Sequence, residues 1–292
     1  MKPATFVSLS SLPLAFSAPT LTLHPHAHRR NVQPICAFDA NSVLEPTTQP
    51  ISKRDLNQTT WNPPSNLVTP LKEVWDHEVS TYSDALGFKN YGYDQVIAGT
   101  DTVTAAQRTQ VETAIRRQFN TWITVLAGFD GFPYESVDVN VVGWAVKSAS
   151  VLQGDTSAIQ VYTTTDSEGV PQCDERCGRF FHQDGDYSAC AAGADRHYDQ
   201  SLWLTPGFGG GAGGDWGQRV ASEYFMENLG TDNIHIVLHE LGHTFALDDF
   251  YDWTPMGVTN FIMLAGSAME ITEFDAWMAR DWWRNLKSRY SL

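Results

Sequence analysis

Two histidines four residues apart, with a glutamate beside the first, carry the clearest chemistry in this 292-residue chain. In the string HELGH, His239 and His243 would lie one above the other on the same face of a helix. Two imidazoles at this spacing can bind one metal ion, and zinc is the usual partner. Glu240 would lie beside the open coordination position, where it can act as general base toward a bound water. The motif therefore predicts a zinc-dependent hydrolase.

The residues around the motif predict a buried helix from Asn233 to Leu247. The segment NIHIVLHELGHTFAL is apolar between its polar positions and lacks proline, and Thr231 or Asp232 would cap its start. Burying two histidines and a glutamate on one stripe is costly unless a metal ion satisfies them. His235 lies on the same face, but eight residues of helix separate it from the second histidine by about 12 Å. We therefore expect it to be a core or supporting histidine.

A catalytic zinc ion needs a third protein ligand, and Asp249 stands six residues past His243. The string HELGHTFALDD resembles the extended motif of the metzincin metallopeptidases, in the snapalysin-type variant whose last ligand is aspartate. That resemblance implies a turn at Ala246, where the family has glycine, and a left-handed alanine costs on the order of 1 kcal/mol. Asp248 is the nearest rival for the ligand role, and Asp252 is a weaker one.

The resemblance to metzincins extends beyond the zinc motif. The segment NFIMLAGSA resembles the family's Met-turn, which implies that Met263 forms an apolar floor beneath the zinc ligands. The aromatic-rich stretch from Glu270 to Tyr290 matches the C-terminal helix of the family. Thr102 to Phe129, with apolar residues at helical spacing, resembles its long first helix.

Three further segments are rich in β-branched or aromatic residues and predict strands: Val137 to Trp144, Ala158 to Thr163 and Ser201 to Thr205. We therefore expect an α/β (α+β) metzincin-like catalytic domain over residues 55–292. Its parts would be a long first helix, a mixed twisted sheet, the zinc helix, the Met-turn and a C-terminal helix. The glycine-rich segment from Gly207 to Gly217 lacks the Lys-Ser/Thr of a phosphate loop, and we expect it to form a mobile loop near the cleft.

The N-terminal region predicts secretion. Residues 1–18 have the positive start, short apolar run and small residues of a signal peptide. Residues 19–54 are a candidate prosegment or linker, ending at the dibasic pair Lys53-Arg54. Asn57 begins the one N-glycosylation sequon of the chain.

Four cysteines are expected to pair in an oxidising compartment. Cys173, Cys177 and Cys190 fall in one short segment and predict a disulfide-stapled loop. Cys36 would lie in the prosegment, where its thiolate could occupy the open zinc position until cleavage. A disulfide or a free thiol is the alternative for Cys36.

The net charge of −15 argues against nucleic acid and anionic membranes as partners. We therefore expect a secreted, extracellular and monomeric zinc endopeptidase that acts on protein or peptide substrates, with Glu240 as base and then acid. Tyr251 and His235 are candidates for stabilising the oxyanion. Three alternatives stay open: a gluzincin with Glu270 or Glu273 as third ligand, a non-catalytic metal- or carbohydrate-binding protein, and a zinc hydrolase of non-peptide bonds.

Overall fold

The computed structural model describes residue 51 and residues 55–82, 95–99, 101–167 and 169–292. The predicted signal peptide, Cys36 and the Lys53-Arg54 pair lie outside these residues. The described part has a mixed sheet of strands β1 (Gln95–Ala98), β2 (Val141–Ala145), β3 (Gln160–Tyr162), β4 (Gln200–Thr205), β5 (Gly211–Gly214) and β6 (Gly217–Ala221). Their order is β3-β2-β1-β4-β6-β5. Neighbours run parallel except β5 and β6, which are antiparallel.

Five α-helices accompany this sheet in the described residues: α1 (Val68–Tyr82), α2 (Ala105–Leu126), α3 (Ser222–Glu227), α4 (His235–Thr244) and α5 (Glu273–Leu286). Helix α4 packs against β5 and β6, α2 packs against α4 and α5, and α1 packs against α5. None of the helices in the described ranges is both long enough and apolar enough to cross a membrane. The expected α/β combination of helices with a mixed sheet is confirmed.

The sheet separates two apolar cores, because successive side chains of a strand point to opposite faces. On β1, Ile97 belongs to the large core shared with α2, α4 and α5, whereas its neighbour Val96 belongs to a smaller core. The smaller core contains the disulfide between Cys177 and Cys190. The prediction of a stapled loop in this segment is therefore confirmed, and the loop packs on the face away from the helices.

Helix α2 lies within the predicted range Thr102 to Phe129, and its start has a local cause. The Thr104 hydroxyl accepts from the Gln107 amide at 3.2 Å, and the Gln107 side chain accepts from the Thr104 amide at 2.9 Å. This reciprocal pair is a capping box. Further along, the fully buried Trp122 donates from its indole nitrogen to the carbonyl of Leu238 at 2.8 Å. The bond fixes α2 beside α4.

The predicted strand from Val137 to Trp144 begins too early. The backbone of Val137 pairs with the Asn120 side chain of α2: its amide donates at 2.8 Å and its carbonyl accepts at 2.9 Å. These groups are therefore satisfied without a neighbouring strand, and β2 begins only at Val141. The segment Ala158 to Thr163 contains the shorter β3, and Ser201 to Thr205 makes up all but the first residue of β4.

The prediction of a loop from Gly207 to Gly217 is wrong for its centre, whereas residues 207–210 do lie outside the strands. Strand β5 lies inside this segment and pairs with β6, with Gly211 opposite Val220 and Gly214 opposite Gly217. Glycine has a low strand propensity, so the sequence pattern hides the strand. Pairing with β6 on one side and close packing on α4 supply the order that propensity does not.

Helix α4 is shorter than the predicted helix at both ends, and neither Thr231 nor Asp232 caps it through its side chain. The cap comes instead from Gln118 of α2. Its side-chain oxygen accepts from the Ile234 amide at 2.9 Å, and its side-chain nitrogen donates to the Asp232 carbonyl at 3.0 Å. The start of α4 is therefore fixed by a tertiary contact.

Candidate metal centre

The two motif histidines lie on one face of α4, with ring centroids 5.0 Å apart. Nδ1 of His239 lies 2.7 Å from the carbonyl oxygen of Ile262, and Nδ1 of His243 lies 2.8 Å from that of Leu247. A carbonyl oxygen can only accept, so each Nδ1 carries the hydrogen. In the neutral rings the lone pairs are then on Nε2, where they can bind a metal ion.

Asp249 reaches the same point because the chain reverses directly after α4. Ala246 has a left-handed backbone with φ of 62°, as the motif predicts for this position. The Leu247 amide bonds back to the last turn of the helix. As a result, Oδ1 of Asp249 lies 3.0 Å from Nε2 of His239 and 3.5 Å from Nε2 of His243.

These three donor atoms fit a metal ion. They lie within 4.8 Å of one another, and this is the one such group among the residues that the structure describes. An imidazole lone pair and a carboxylate oxygen both accept, so a separation of 3.0 Å requires a proton or a metal ion between them. An ion held tetrahedrally at about 2.1 Å needs donors about 3.4 Å apart, and the observed 3.0 and 3.5 Å bracket that value.

Burial acts to raise the pKa of Asp249, yet the net shift is downward. When the imidazoles are protonated, hydrogen bonds from His239 and Tyr251, together with attraction to both charged rings, outweigh the burial. The carboxyl group is therefore ionised, as a metal ligand must be. The Tyr251 hydroxyl, a candidate for oxyanion stabilisation, thus has a hydrogen bond to this carboxylate.

The rival ligands lie outside the group of three. The Asp248 carboxylate accepts from the Tyr82 hydroxyl of α1 at 2.6 Å. Asp252, Glu270 and Glu273 do not belong to the group either. The geometry therefore favours Asp249 as the third donor.

Met263 lies directly against the helix that carries the histidines. Its side chain is fully buried. A Cβ on Gly242 of α4 would overlap the Met263 sulfur and would lie 2.8 Å from its methyl carbon. Gly242 therefore makes the space that Met263 fills. The carbonyl just before it, on Ile262, is the one that accepts from His239.

A buried aspartate that the sequence analysis missed holds this turn. Asp275 of α5 is fully buried and accepts from the amides of Ile262 at 2.8 Å and Met263 at 3.2 Å. It also accepts from the amide and hydroxyl of Thr272 at 2.8 and 2.7 Å. Burial raises its pKa in spite of these bonds. The string TEFD, a capping box at the start of α5, is the signal that marks this residue.

Glu240 is fully buried between α4 and β5. Its Oε2 lies 3.8 Å from Nε2 of His243, so the carboxylate lies beside the donor group without belonging to it. The backbone of β5 covers this carboxylate from the other side.

His235 is not part of the donor group. Its Nδ1 is 2.6 Å from the Tyr224 hydroxyl. Burial, with a smaller effect from His239, lowers the pKa of His235 to about 4. It is therefore a buried, neutral histidine at neutral pH, as the helical spacing predicts.

Two other residues singled out in the sequence, the sequon asparagine and the first cysteine of the clustered three, lie outside the donor group. Asn57 is exposed in a 3-10 turn (Asp55–Asn57), and Cys173 is a buried thiol in the small core near the disulfide.

In a comparison with known families and with curated proteins, no family model and no curated protein matches this chain.

Proposed function

We propose that this chain is a secreted zinc-dependent endopeptidase of the metzincin type. The observation that carries the proposal is the carboxylate of Glu240, buried 3.8 Å from His243 and beside a group of three metal donors. Burying a carboxylate that is not a ligand is costly. A general base next to a metal-bound water gives that carboxylate a role.

Zinc is the metal that this combination of residues favours. Two imidazole nitrogens and one carboxylate oxygen form a three-ligand set that leaves a fourth position open, as in catalytic zinc sites. The same set also suits iron(II) in oxygenases. An oxygenase has no evident use for the base Glu240, whereas hydrolysis does.

Zinc bound by these residues would lower the pKa of a water molecule and polarise the scissile carbonyl. The hydrogen bonds from both Nδ1 atoms to backbone carbonyls keep the Nε2 lone pairs of His239 and His243 aimed at the site. Glu240 takes the proton from the attacking water and passes it to the leaving amine. Asp249 contributes a negative charge that makes the site less positive than three histidines would.

Two features support the metzincin part of the proposal. Ala246 adopts the left-handed turn that brings Asp249 back to the histidines. Met263 packs against Gly242 of α4, the helix that carries both histidines, which is compatible with a Met-turn. The disulfide between Cys177 and Cys190 supports secretion, since such bonds persist mainly in oxidising compartments.

The test is the variant Glu240→Gln, assayed for casein cleavage and for bound metal. We expect turnover to be lost while zinc is retained, because the base is removed and the ligands stay. Glu270→Gln is the matched control and should keep both activity and zinc. Wild-type activity in Glu240→Gln would overturn the proposal, as would a purified native protein whose bound metal is iron.

A further inference from the structure

Strand β5 presents no side chain to the catalytic carboxylate. A Cβ on Gly211 would overlap Oε1 of Glu240 and would lie 2.7 Å from its Cδ and 2.7 Å from Cγ2 of Ile236. A Cβ on Gly213 would lie 2.5 Å from the carbonyl oxygen of Glu240. Distances below 3 Å leave no room for a methyl group.

The lack of room for a side chain explains why these two residues are glycines, whereas their backbone conformation does not. Neither Gly211 nor Gly213 has a positive φ. Ala212 lies between them and points to the opposite face of the strand, away from Glu240, so it has room for a side chain. Glycine is thus found at the two positions of the strand that face Glu240.

The strand is also held so that it cannot easily withdraw. It pairs with β6 along its whole length. The turn that joins the two strands is fixed by Arg179, which is 2% exposed and donates to the Asp215 carboxylate at 2.8 Å. A methyl group added on the face of β5 that packs against α4 must therefore displace the atoms of α4 that it meets, which belong to Glu240 and Ile236.

We infer that Gly211 is a positioning residue: its missing side chain leaves the space in which Glu240 holds its carboxylate beside the metal donors. At Gly211 the obstacles are two side chains, the nearer being the far end of Glu240 and the other Cγ2 of Ile236, so an alanine there moves the carboxylate. At Gly213 the nearest obstacle is the backbone carbonyl of Glu240, with Oε2 of the same residue at 2.9 Å, so an alanine there moves the helix as well as the carboxylate. The catalytic meaning of this inference rests on the proposed function, whereas the steric relationship does not.

The first experiment compares Gly211→Ala with wild type in peptide cleavage. We expect kcat to fall about 100-fold, the effect of a misplacement near 1 Å, with KM nearly unchanged and zinc retained. Gly213→Ala should lose zinc and melting temperature together, because it displaces the ligand helix. Ala212→Ser, on the outer face of the same strand, and Gly230→Ala, which meets open space, are the controls and should behave like wild type.

The second experiment needs no activity. The melting temperature of Gly211→Ala is compared in the wild-type background and in a Glu240→Ala background. A double-mutant cycle of this kind isolates the interaction of the two positions. We expect the loss caused by Gly211→Ala to be at least halved when the carboxylate is absent.

The outcomes distinguish the positioning of Glu240 by Gly211 from the proposed peptidase function. An unchanged kcat in Gly211→Ala, or an equal loss of melting temperature in both backgrounds, overturns the inference. If the coupling is present but the wild-type protein cleaves no peptide, the positioning of Glu240 by Gly211 stands and the proposed peptidase function fails.

Discussion

Asp275 accepts a hydrogen bond from the backbone amide of Ile262 at 2.8 Å, and the carbonyl of that same Ile262 accepts from His239 at 2.7 Å. A buried carboxylate on α5 thus orients a histidine of the candidate metal centre on α4 through one residue of the segment that contains Met263. Such partners of metal ligands commonly influence affinity as well as orientation.

The variant Asp275→Asn should therefore weaken zinc binding by about 10- to 100-fold. An asparagine can keep the oxygen that serves Ile262 and Thr272, but its NH2 group would face the Met263 amide, which also donates. Zinc affinity measured by competition with a chromophoric chelator gives the answer. Asp281→Asn on the same helix is the control, because Asp281 is buried and pairs with Arg284. If both variants bind zinc equally, the Met-turn does not transmit the effect.

Removing the third ligand should be more severe. Asp249→Ala should lower zinc affinity by more than about 100-fold, beyond the range of supporting residues, because one of three donors is lost. Asp248→Ala breaks the hydrogen bond to Tyr82 and leaves the three donors in place, so it should bind zinc nearly as wild type does. Metal content after dialysis distinguishes the two. Loss of zinc in Asp248→Ala but not in Asp249→Ala would show that the neighbouring carboxylate is the ligand, and loss in Glu270→Ala or Glu273→Ala would favour a gluzincin site.

The two histidines could be predicted from helical spacing, whereas Asp249 is chosen over its neighbour Asp248 by resemblance to the metzincin motif. His239 and His243 are one helical turn apart, and Asp249 follows after one reversal. The geometry of a helix is local, so spacing indicates that the two imidazoles converge, but it does not decide which aspartate after the turn joins them.

The supporting contacts are not local, and the sequence could not reveal them. The cap of α4 comes from Gln118, which is 116 residues away from the Ile234 amide it accepts from. Strand β5 has the composition of a loop and becomes a strand through its pairing with β6. The cover over Glu240 follows from that pairing, so neither composition nor periodicity predicts it.

The left-handed Ala246 leads to a prediction about stability. An alanine at φ of 62° costs about 1–2 kcal/mol relative to the right-handed region, whereas glycine there costs about 0.5–1 kcal/mol in added chain entropy. Ala246→Gly should therefore leave the free energy of unfolding unchanged or raise it by about 1 kcal/mol. Urea denaturation measures it. Ala114→Gly, in the middle of α2, should cost about 1 kcal/mol or more, and equal losses in both variants would contradict a strained turn.

The burial of Glu78 leads to a prediction that the stability of the folded protein depends on pH in an unusual direction. This α1 side chain is 1% exposed, and in the described part of the structure its Oε2 has no hydrogen-bond partner. Burial, and then the negative charge of Asp248, raise the pKa of Glu78 from 4.5 to about 8. Below that pH the folded protein keeps this carboxyl group protonated.

The direction of the effect follows from proton binding. Between pH 4.5 and about 8, the unfolded chain has released the proton of Glu78 and the folded chain still holds it. Stability therefore falls as the pH rises through this window and levels off above it. Glu78→Gln removes the titrating group while keeping nearly the same shape.

We therefore expect Glu78→Gln to match the wild type near the acid end of the window and to be more stable above it, by on the order of 1–3 kcal/mol. Thermal unfolding of the metal-free protein, followed across that pH range, measures the difference between the two curves. Metal-free protein is required because a bound cation near Asp249 would favour the ionised form of Glu78. Asp76→Asn, on the exposed side of the same helix, is the control and should keep the wild-type slope. A difference between wild type and Glu78→Gln that stays constant with pH would mean that Glu78 is already ionised in the folded protein.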